Sequence, residues 1–279
     1  MGEGELDEEK MEQHTNKKTV HDQKAETPDD QKASTVSSNL WTEIEKVTLA
    51  QLCRARIQPH IGRDNWDLFY TKKDMKIYRR KEEHEGRITD PIRASYSVDG
   101  VTARELCNYF FLPQYRTEWE TTVDLSFVLE KISDNAFVFL QLHKTVWPVA
   151  RRESCFWSHY RQIKDGFQQE DEIDTHLVCN HSTEHPSALT VREGAIRLQM
   201  IVILVCNTCV IDKKKRCETR DKLTRKDIKT NITYCSTINP GGWVPIKLVR
   251  YIYEREYPRF LDRFGTYVVE KTKNEPIMW

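Results

Sequence analysis

The sequence carries no excess charge of either sign: 43 Lys and Arg balance 43 Asp and Glu over 279 residues. Bulk electrostatics therefore argues against a polyanionic partner. Long apolar runs are also missing. The longest, Met200 to Cys206, has seven residues, against about 20 for a membrane-spanning helix. The first residues, Gly-Glu-Gly-Glu-Leu-Asp-Glu-Glu, lack the basic start and apolar stretch of a secretory signal. Phosphate-cradling and nucleophile-elbow motifs are absent: no Gly-x-Gly-x-x-Gly, no Gly-x-x-x-x-Gly-Lys-Ser/Thr and no Gly-x-Ser-x-Gly. The nine histidines do not gather at metal-ligand spacing. His176, His181 and His185 come nearest, and a strand would send the first two to opposite faces. Glu120 and His143 could form an acid–base pair, but no nucleophile accompanies them. The expectation is a protein that is not an enzyme, with no metal and no cofactor.

Eight cysteines are spread from Cys53 to Cys235, most of them inside apolar, strand-like runs. Without an export signal they read as buried thiols. Cys206-x-x-Cys209 stands alone, without a second pair or a nearby histidine, and reads as core.

Composition shifts near residue 40. Residues 1–40 hold ten acidic and five basic side chains and no aromatic residue, whereas all 28 aromatics follow. So little apolar surface cannot offset the entropy of ordering, which predicts a disordered acidic segment over 1–40 and one folded domain over 41–279. Thr42-Glu-Ile-Glu45 fits a capping box opening a helix that Pro59 ends. Ile92, Ala94, Tyr96 and Val98 alternate with polar residues as a strand does. A short helix is expected over 103–111 and a hairpin from 125–129 and 136–143. Further strands are expected over 155–163, 175–182, 195–205 and 230–238, with a charged loop over 212–227. From Ile246 to Val268, apolar residues recur at three and four, as on one face of a long helix. The fold class is α+β: a curved antiparallel sheet with a long C-terminal helix across its open face.

Two loops are unusual. Thr145-Val-Trp-Pro148 and Asn239-Pro-Gly-Gly-Trp-Val-Pro245 each set a tryptophan in a Pro- or Gly-rich turn. Turns lie at the surface, and an exposed indole suits the headgroup level of a bilayer. The alternative is that both rings fold back onto the core. The basic stretch Asp212 to Lys222 lacks the aromatic interleaving of a nucleic-acid platform, so no nucleic-acid partner is expected.

Short motifs in order now carry a resemblance. They include Val101-Thr102 with Glu105-Leu-Cys-Asn-Tyr-Phe110, Trp119-Glu-Thr-Thr122, Gln141 with His143-Lys144, and Val146-Trp-Pro148. Val178-Cys-Asn180, Ile232-Thr-Tyr234, Asn239-Pro-Gly-Gly-Trp243 and Arg255-Glu-Tyr-Pro258 continue the series. From about Trp41 to Trp279 the chain resembles the START (StAR-related lipid transfer) domain family, and within it the ceramide-specific branch. The resemblance implies a helix-grip fold with an internal lipid tunnel between the sheet and the last helix. It implies Glu120, Gln141, Asn180 and Tyr234 as the ceramide-headgroup residues, and Val146, Trp147, Pro148 and Trp243 as the membrane-docking ones. The implied partners are ceramide or a related lipid and a transient membrane surface. Protein partners are not specified. The implied role is non-vesicular transfer of one ceramide per domain by a cytoplasmic protein in peripheral contact with endoplasmic reticulum or Golgi membranes. The alternative is a sensor or interaction module that binds a phospholipid or sterol without transferring it. Full-length ceramide carriers add a phosphoinositide-binding domain and an aromatic-anchored endoplasmic-reticulum motif, and neither is expected within residues 1–40.

The polar candidates fit a ligand site on pattern as well. Gln141 shares a strand face with Phe137 and Phe139, Tyr234 with Ile232 and Ile238, and Asn180 with Val178. A polar group on an apolar face is costly unless it has a partner.

Overall fold

The computed structural model describes residues 28–57, 65–84, 87–145, 149–164 and 172–279. The chain divides after Ser38, and the unit Asn39–Trp279 carries the fold described below.

Helix α1 runs Pro28–Arg56, so Thr42 lies inside it and does not cap it. Pro28 and the acidic pair Asp29 and Asp30 suit a first helical turn, and no Gly or Pro breaks the run to Thr42. The Thr-x-x-Glu spacing was compatible with a cap but did not require one. Strands β1 (Trp66–Lys72) and β2 (Met75–Arg80), a small hairpin of β3 (Glu83–His84) and β4 (Arg87–Ile88), and β5 (Ile92–Asp99) follow. Next come α2 (Ala103–Phe111), α3 (Pro113–Trp119), β6 (Val123–Ser133), β7 (Ala136–His143), β8 (Arg151–Ile163) and β9 (Glu172–Ser182). Strands β10 (Ala195–Arg197), β11 (Gln199–Val210) and β12 (Ile228–Asn239) lead to the closing helix α4 (Ile246–Thr272).

One ten-stranded sheet has the order β1-β2-β5-β12-β11-β9-β8-β7-β6. Every pair on that path is antiparallel, and three-residue β10 joins β8 in parallel. The sheet is open, with β1 and β6 at its edges. Register shifts between Val123 and Leu125, Val128 and Glu130, and Lys131 and Ser133 bulge the β6 edge, which bends a strand and raises its twist.

Both faces of the sheet are covered. On the inner face, Val178, Val202, Leu204, Cys206, Ile232 and Tyr234 pack against α2 and α4. Helix α4 contributes Val249, Tyr253, Tyr257, Leu261, Phe264 and Val268, a buried stripe at helical spacing. On the outer face, Val138, Leu140, Trp157, Leu177, Cys179 and Ile203 pack against Ile44, Leu52 and Ala55 of α1. Cys206 and Cys209 lie three residues apart on β11, hence on opposite faces. Both are buried, and neither forms a disulfide. Cys53 and Cys217 are exposed, unlike the buried thiols expected from the sequence.

Helix α2 begins where the sequence sets a cap. Thr102 accepts from Glu105 N (3.1 Å), and Glu105 Oε2 accepts from Thr102 N (3.0 Å). The same buried carboxylate receives both terminal nitrogens of Arg225 at 2.8 and 3.0 Å. Arg225 also donates to the carbonyl of Glu275, and Thr102 Oγ1 to that of Met278. The far end of α4 is thus tied to α2 and to the 212–227 segment. Removing one partner of a buried ion pair leaves an uncompensated charge. Glu105→Gln is therefore expected to lower unfolding free energy by about 3 kcal/mol in urea titrations. A loss below about 1 kcal/mol would assign Glu105 no anchoring role.

Candidate functional site: a polar-ended cavity under the closing helix

A cavity of about 230 Å³ lies between the sheet and α4. Met200, Val202, Ile238, Ile252 and Phe260 give it apolar walls, and Glu120, Gln141, Asn180 and Tyr234 all line it. The four come from the end of α3 and from β7, β9 and β12, so tertiary structure alone brings them together.

The Trp-Glu-Thr-Thr stretch sets Glu120 in place. Trp119 is 1% exposed, and its ring meets Phe264 at 4.6 Å, Phe110 at 5.5 Å and Phe260 at 5.6 Å. Its indole N–H donates to Tyr109 O (3.1 Å), and its carbonyl accepts from Arg263 Nε (3.0 Å). With Trp119 fixed, α3 ends at Glu120, whose N–H bonds Arg116 O. Thr122 then donates to Glu120 Oε1 from its hydroxyl (2.7 Å) and backbone (3.2 Å). One carboxylate oxygen is held by the protein in this way.

Gln141 and Asn180 are 2% and 1% exposed. Gln141 Nε2 donates to Ser126 Oγ across the β6–β7 pair (3.1 Å). Asn180 sits opposite Ser158 on β8 and Val202 on β11. Its Oδ1 is buried and has no hydrogen-bond partner in the protein. Such an atom costs about 1–3 kcal/mol unless something else bonds it. Burial pushes the Tyr234 phenol well above its ordinary pKa, with Tyr257 adding to the effect, so it stays a neutral hydroxyl. Tyr257 in turn bonds Ser236 at 2.7 Å.

Arg116 and His143 also line the cavity. Arg116 escaped the sequence reading, although it stands four residues before Glu120 on the same helix and so shares its face. Its guanidinium lies over Phe110 (4.7 Å) and Trp119 (5.1 Å), and burial lowers its pKa. His143 entered that reading as an acid–base partner and as part of a motif but not as a site residue, yet it shares the Gln141 face two residues on. Its Nε2 bonds Ser154 Oγ at 2.9 Å. Burial, with Arg116 nearby, lowers its pKa to about 4, so the ring is neutral at neutral pH.

The docking candidates divide. Trp243 is 83% exposed. Val146, Trp147 and Pro148 lie outside the described residues. Gly241 and Gly242 shape the turn that carries Trp243. Both hold positive φ, and a Cβ on Gly241 would stand 2.5 Å from Arg197 O. Arg152 Nε donates to Pro240 O (2.7 Å) and its Nη2 to Gly241 O (3.2 Å), pinning the turn that presents Trp243. Among the described residues, no group of His, Cys, Asp and Glu could hold a metal ion, and no helix is long and apolar enough to cross a membrane.

The START domain family model matches residues 57–273. The chain belongs to the START family. The ceramide transfer proteins that the chain resembles are lipid transporters and not enzymes. The chain is 39% identical over 218 residues to the ceramide transfer proteins of Xenopus laevis and Homo sapiens, which covers 78% of it and 34% of each relative. It thus spans about a third of those relatives' length. Human StAR-related lipid transfer protein 5 superposes with a TM-score of 0.63 at 16% identity, over 86% of this chain and 99% of that one. Human STARD10 gives 0.59 at 15%, over 80% and 79%. These two likenesses describe the START fold: an open antiparallel sheet gripped by a C-terminal helix.

The His143 environment gives a signed pH dependence. Its folded pKa of about 4 lies below the unfolded value near 6.5. Between those values the unfolded chain binds the extra proton, so stability falls as pH drops from about 6.5 to 4. NMR titration should find the His143 ring neutral at pH 6, and His143→Gln should flatten this part of the stability profile. A His143 pKa above about 6 contradicts the assigned environment.

Proposed function

We propose that this START domain binds ceramide in the cavity, with Glu120, Gln141, Asn180 and Tyr234 at its headgroup, and carries it between membranes. The observation that carries the reading is the unpartnered Asn180 Oδ1 in a hollow whose walls are largely apolar. Glu120, with one oxygen already held by Thr122, and the Gln141 carbonyl add acceptor capacity beside it. An acceptor-rich wall suits a headgroup rich in donors. Ceramide offers an amide N–H and two hydroxyls, with one carbonyl for the Tyr234 hydroxyl or the Asn180 amide. Phosphatidylcholine has no donor, and a sterol has a single hydroxyl. A site built to bond hydroxyls discriminates strongly against lipids that lack them.

Transfer needs no covalent chemistry. A two-chain lipid with about 30 methylenes costs on the order of 24 kcal/mol to expose to water, at about 0.8 kcal/mol per methylene. An apolar hollow removes most of that penalty. The cavity, at about 230 Å³, falls below the roughly 300–1,000 Å³ of drug-sized ligand pockets. Entry of two chains therefore requires the first half of α4 and the loops beside it to move apart. The ties to be loosened are Ser236 to Tyr257, Tyr253 to Ile238 O, Arg152 to the 240–241 carbonyls, and the ion pairs Arg79–Glu254 and Arg250–Asp90. The exposed Trp243 serves as a bilayer anchor beside this mouth, with Val146, Trp147 and Pro148 as its counterpart. The working surface is the cytoplasmic face of the endoplasmic reticulum or Golgi.

Transfer of labelled ceramide between phosphatidylcholine vesicles tests the reading. Joint Glu120→Ala and Asn180→Ala should reduce the rate at least about tenfold, since each leaves ligand groups unpaired at about 1–3 kcal/mol. Unchanged transfer removes the proposed headgroup site. Trp243→Ala should weaken vesicle binding and transfer together while leaving ceramide affinity in detergent intact. Transfer that persists with vesicle binding lost would remove the anchor.

A further inference from the structure

The lipid-binding cavity leaves one prominent feature of the chain unexplained, the 211–227 segment. It holds eight basic and four acidic residues in a chain that is otherwise close to neutral. The segment folds as three short 3-10 turns, Lys213–Lys215, Arg220–Lys222 and Arg225–Asp227, closed by the buried Leu223 and by the Thr224–Asp227 capping box. Several of its cations are engaged within the protein. Arg225 pairs with Glu105 and Arg220 donates to Ile173 O, which hold the segment on the body of the domain, while Lys215 pairs with Asp227 at 2.6 Å within the segment. Lys214, Lys222 and Lys226 are exposed, and among the described residues their side chains make no ion pair or hydrogen bond. Asp227 is occupied by Lys215 and Thr224, and with Asp212, Glu218 and Asp221 counted the segment still carries four more basic than acidic residues. Beside them Ile211 exposes an apolar side chain.

Topology fixes where this patch stands. The segment precedes β12, and Trp243 follows it. Twelve residues of strand separate the two, about 40 Å at roughly 3.3 Å per residue. The cationic patch and the exposed indole therefore occupy opposite ends of the sheet.

We propose that Lys214, Lys222 and Lys226, with Ile211, form a second membrane-contacting surface, selective for anionic phospholipid headgroups and remote from the lipid-entry end. The pinned 3-10 scaffold holds the charges in place, so little ordering entropy opposes contact. Each cation at an anionic leaflet contributes about a factor of five in affinity, and three together on the order of a hundredfold. A domain with an aromatic contact at one end and a cationic contact at the other can touch two bilayers at once.

The test uses the whole chain with two kinds of vesicle, phosphatidylcholine alone and phosphatidylcholine with about 30% phosphatidylserine. The wild type should sediment with the anionic vesicles on the order of a hundredfold more tightly, lose that preference in about 0.5 M salt, and cluster the anionic vesicles. The triple variant Lys214→Glu, Lys222→Glu, Lys226→Glu should lose both preference and clustering, with unchanged circular dichroism and unchanged ceramide transfer between neutral vesicles. Trp243→Ala should abolish clustering yet keep the salt-sensitive preference. Equal binding to both vesicle types, or a triple variant that still prefers anionic vesicles, overturns the proposal. So does displacement of the protein from vesicles by low concentrations of free phosphoserine, which would mark a soluble-anion site. Because these readouts need no ceramide, they stand or fall separately from the headgroup site.

Discussion

A polar atom withdrawn from water must find a partner, and the inner face of this sheet is organised around that requirement. Nearly all of the face is apolar and closed by α2 and α4. Asp174 and His176 on β9 are buried polar residues too, but it is at the cavity that Glu120, Gln141, Asn180 and Tyr234 converge from four separate elements. The protein satisfies part of this cluster itself, through Thr122 and Ser126. It leaves Asn180 Oδ1 without a protein partner. Cavities lined only by hydrocarbon are indifferent to the head of a lipid. A hollow with an unmet acceptor at its end is not.

The rest of the fold holds this arrangement while leaving one side able to open. Because α1 covers the outer face, the sheet is supported from behind and keeps its shape when the inner face is disturbed. The far half of α4 is tied by Arg263 to Trp119 O, by Lys271 to Glu118 and by the Glu105–Arg225 node. Its near half rests on the sheet through two tyrosine hydroxyls and on β2 through Arg79 to Glu254, and Arg250 pairs with the buried Asp90. Pro258, which lacks a backbone N–H, lies between the two halves. Both halves of the helix are thus tied to the domain, and Pro258 breaks the backbone hydrogen-bond ladder between them.

Much of this was legible in the sequence, for identifiable reasons. Strict alternation from Ile92 to Val98 and the three-four recurrence along α4 are strong signals, because one face of each element is buried and the other is wet. Helix α2 was readable to the residue because Thr102 and Glu105 cap it. Strands β1 and β2 were not readable. Edge strand β1 has no fully buried residue to impose a pattern, and in β2 the alternation of Met75, Ile77 and Arg79 puts a charged residue at a buried position. The start of α1 was misplaced because a capping sequence can also sit inside a longer helix. The expected strand 195–205 is two strands, since Leu198 separates β10, which pairs with β8, from β11. For the site, strand periodicity put Gln141, Asn180 and Tyr234 on apolar faces. That they share one cavity depends on the order of strands, which no local pattern encodes. Arg116 was within reach of helical spacing had α3 been recognised.

The central claim is that a donor-rich, two-chain lipid completes the polar end of the cavity. Native mass spectrometry of the protein purified from cells, followed by lipid identification, tests it most directly. The account predicts one ceramide per domain, displaced on denaturation and absent from the Glu120→Ala, Asn180→Ala protein. A glycerophospholipid or sterol bound one to one in the native protein, with no ceramide, would contradict it.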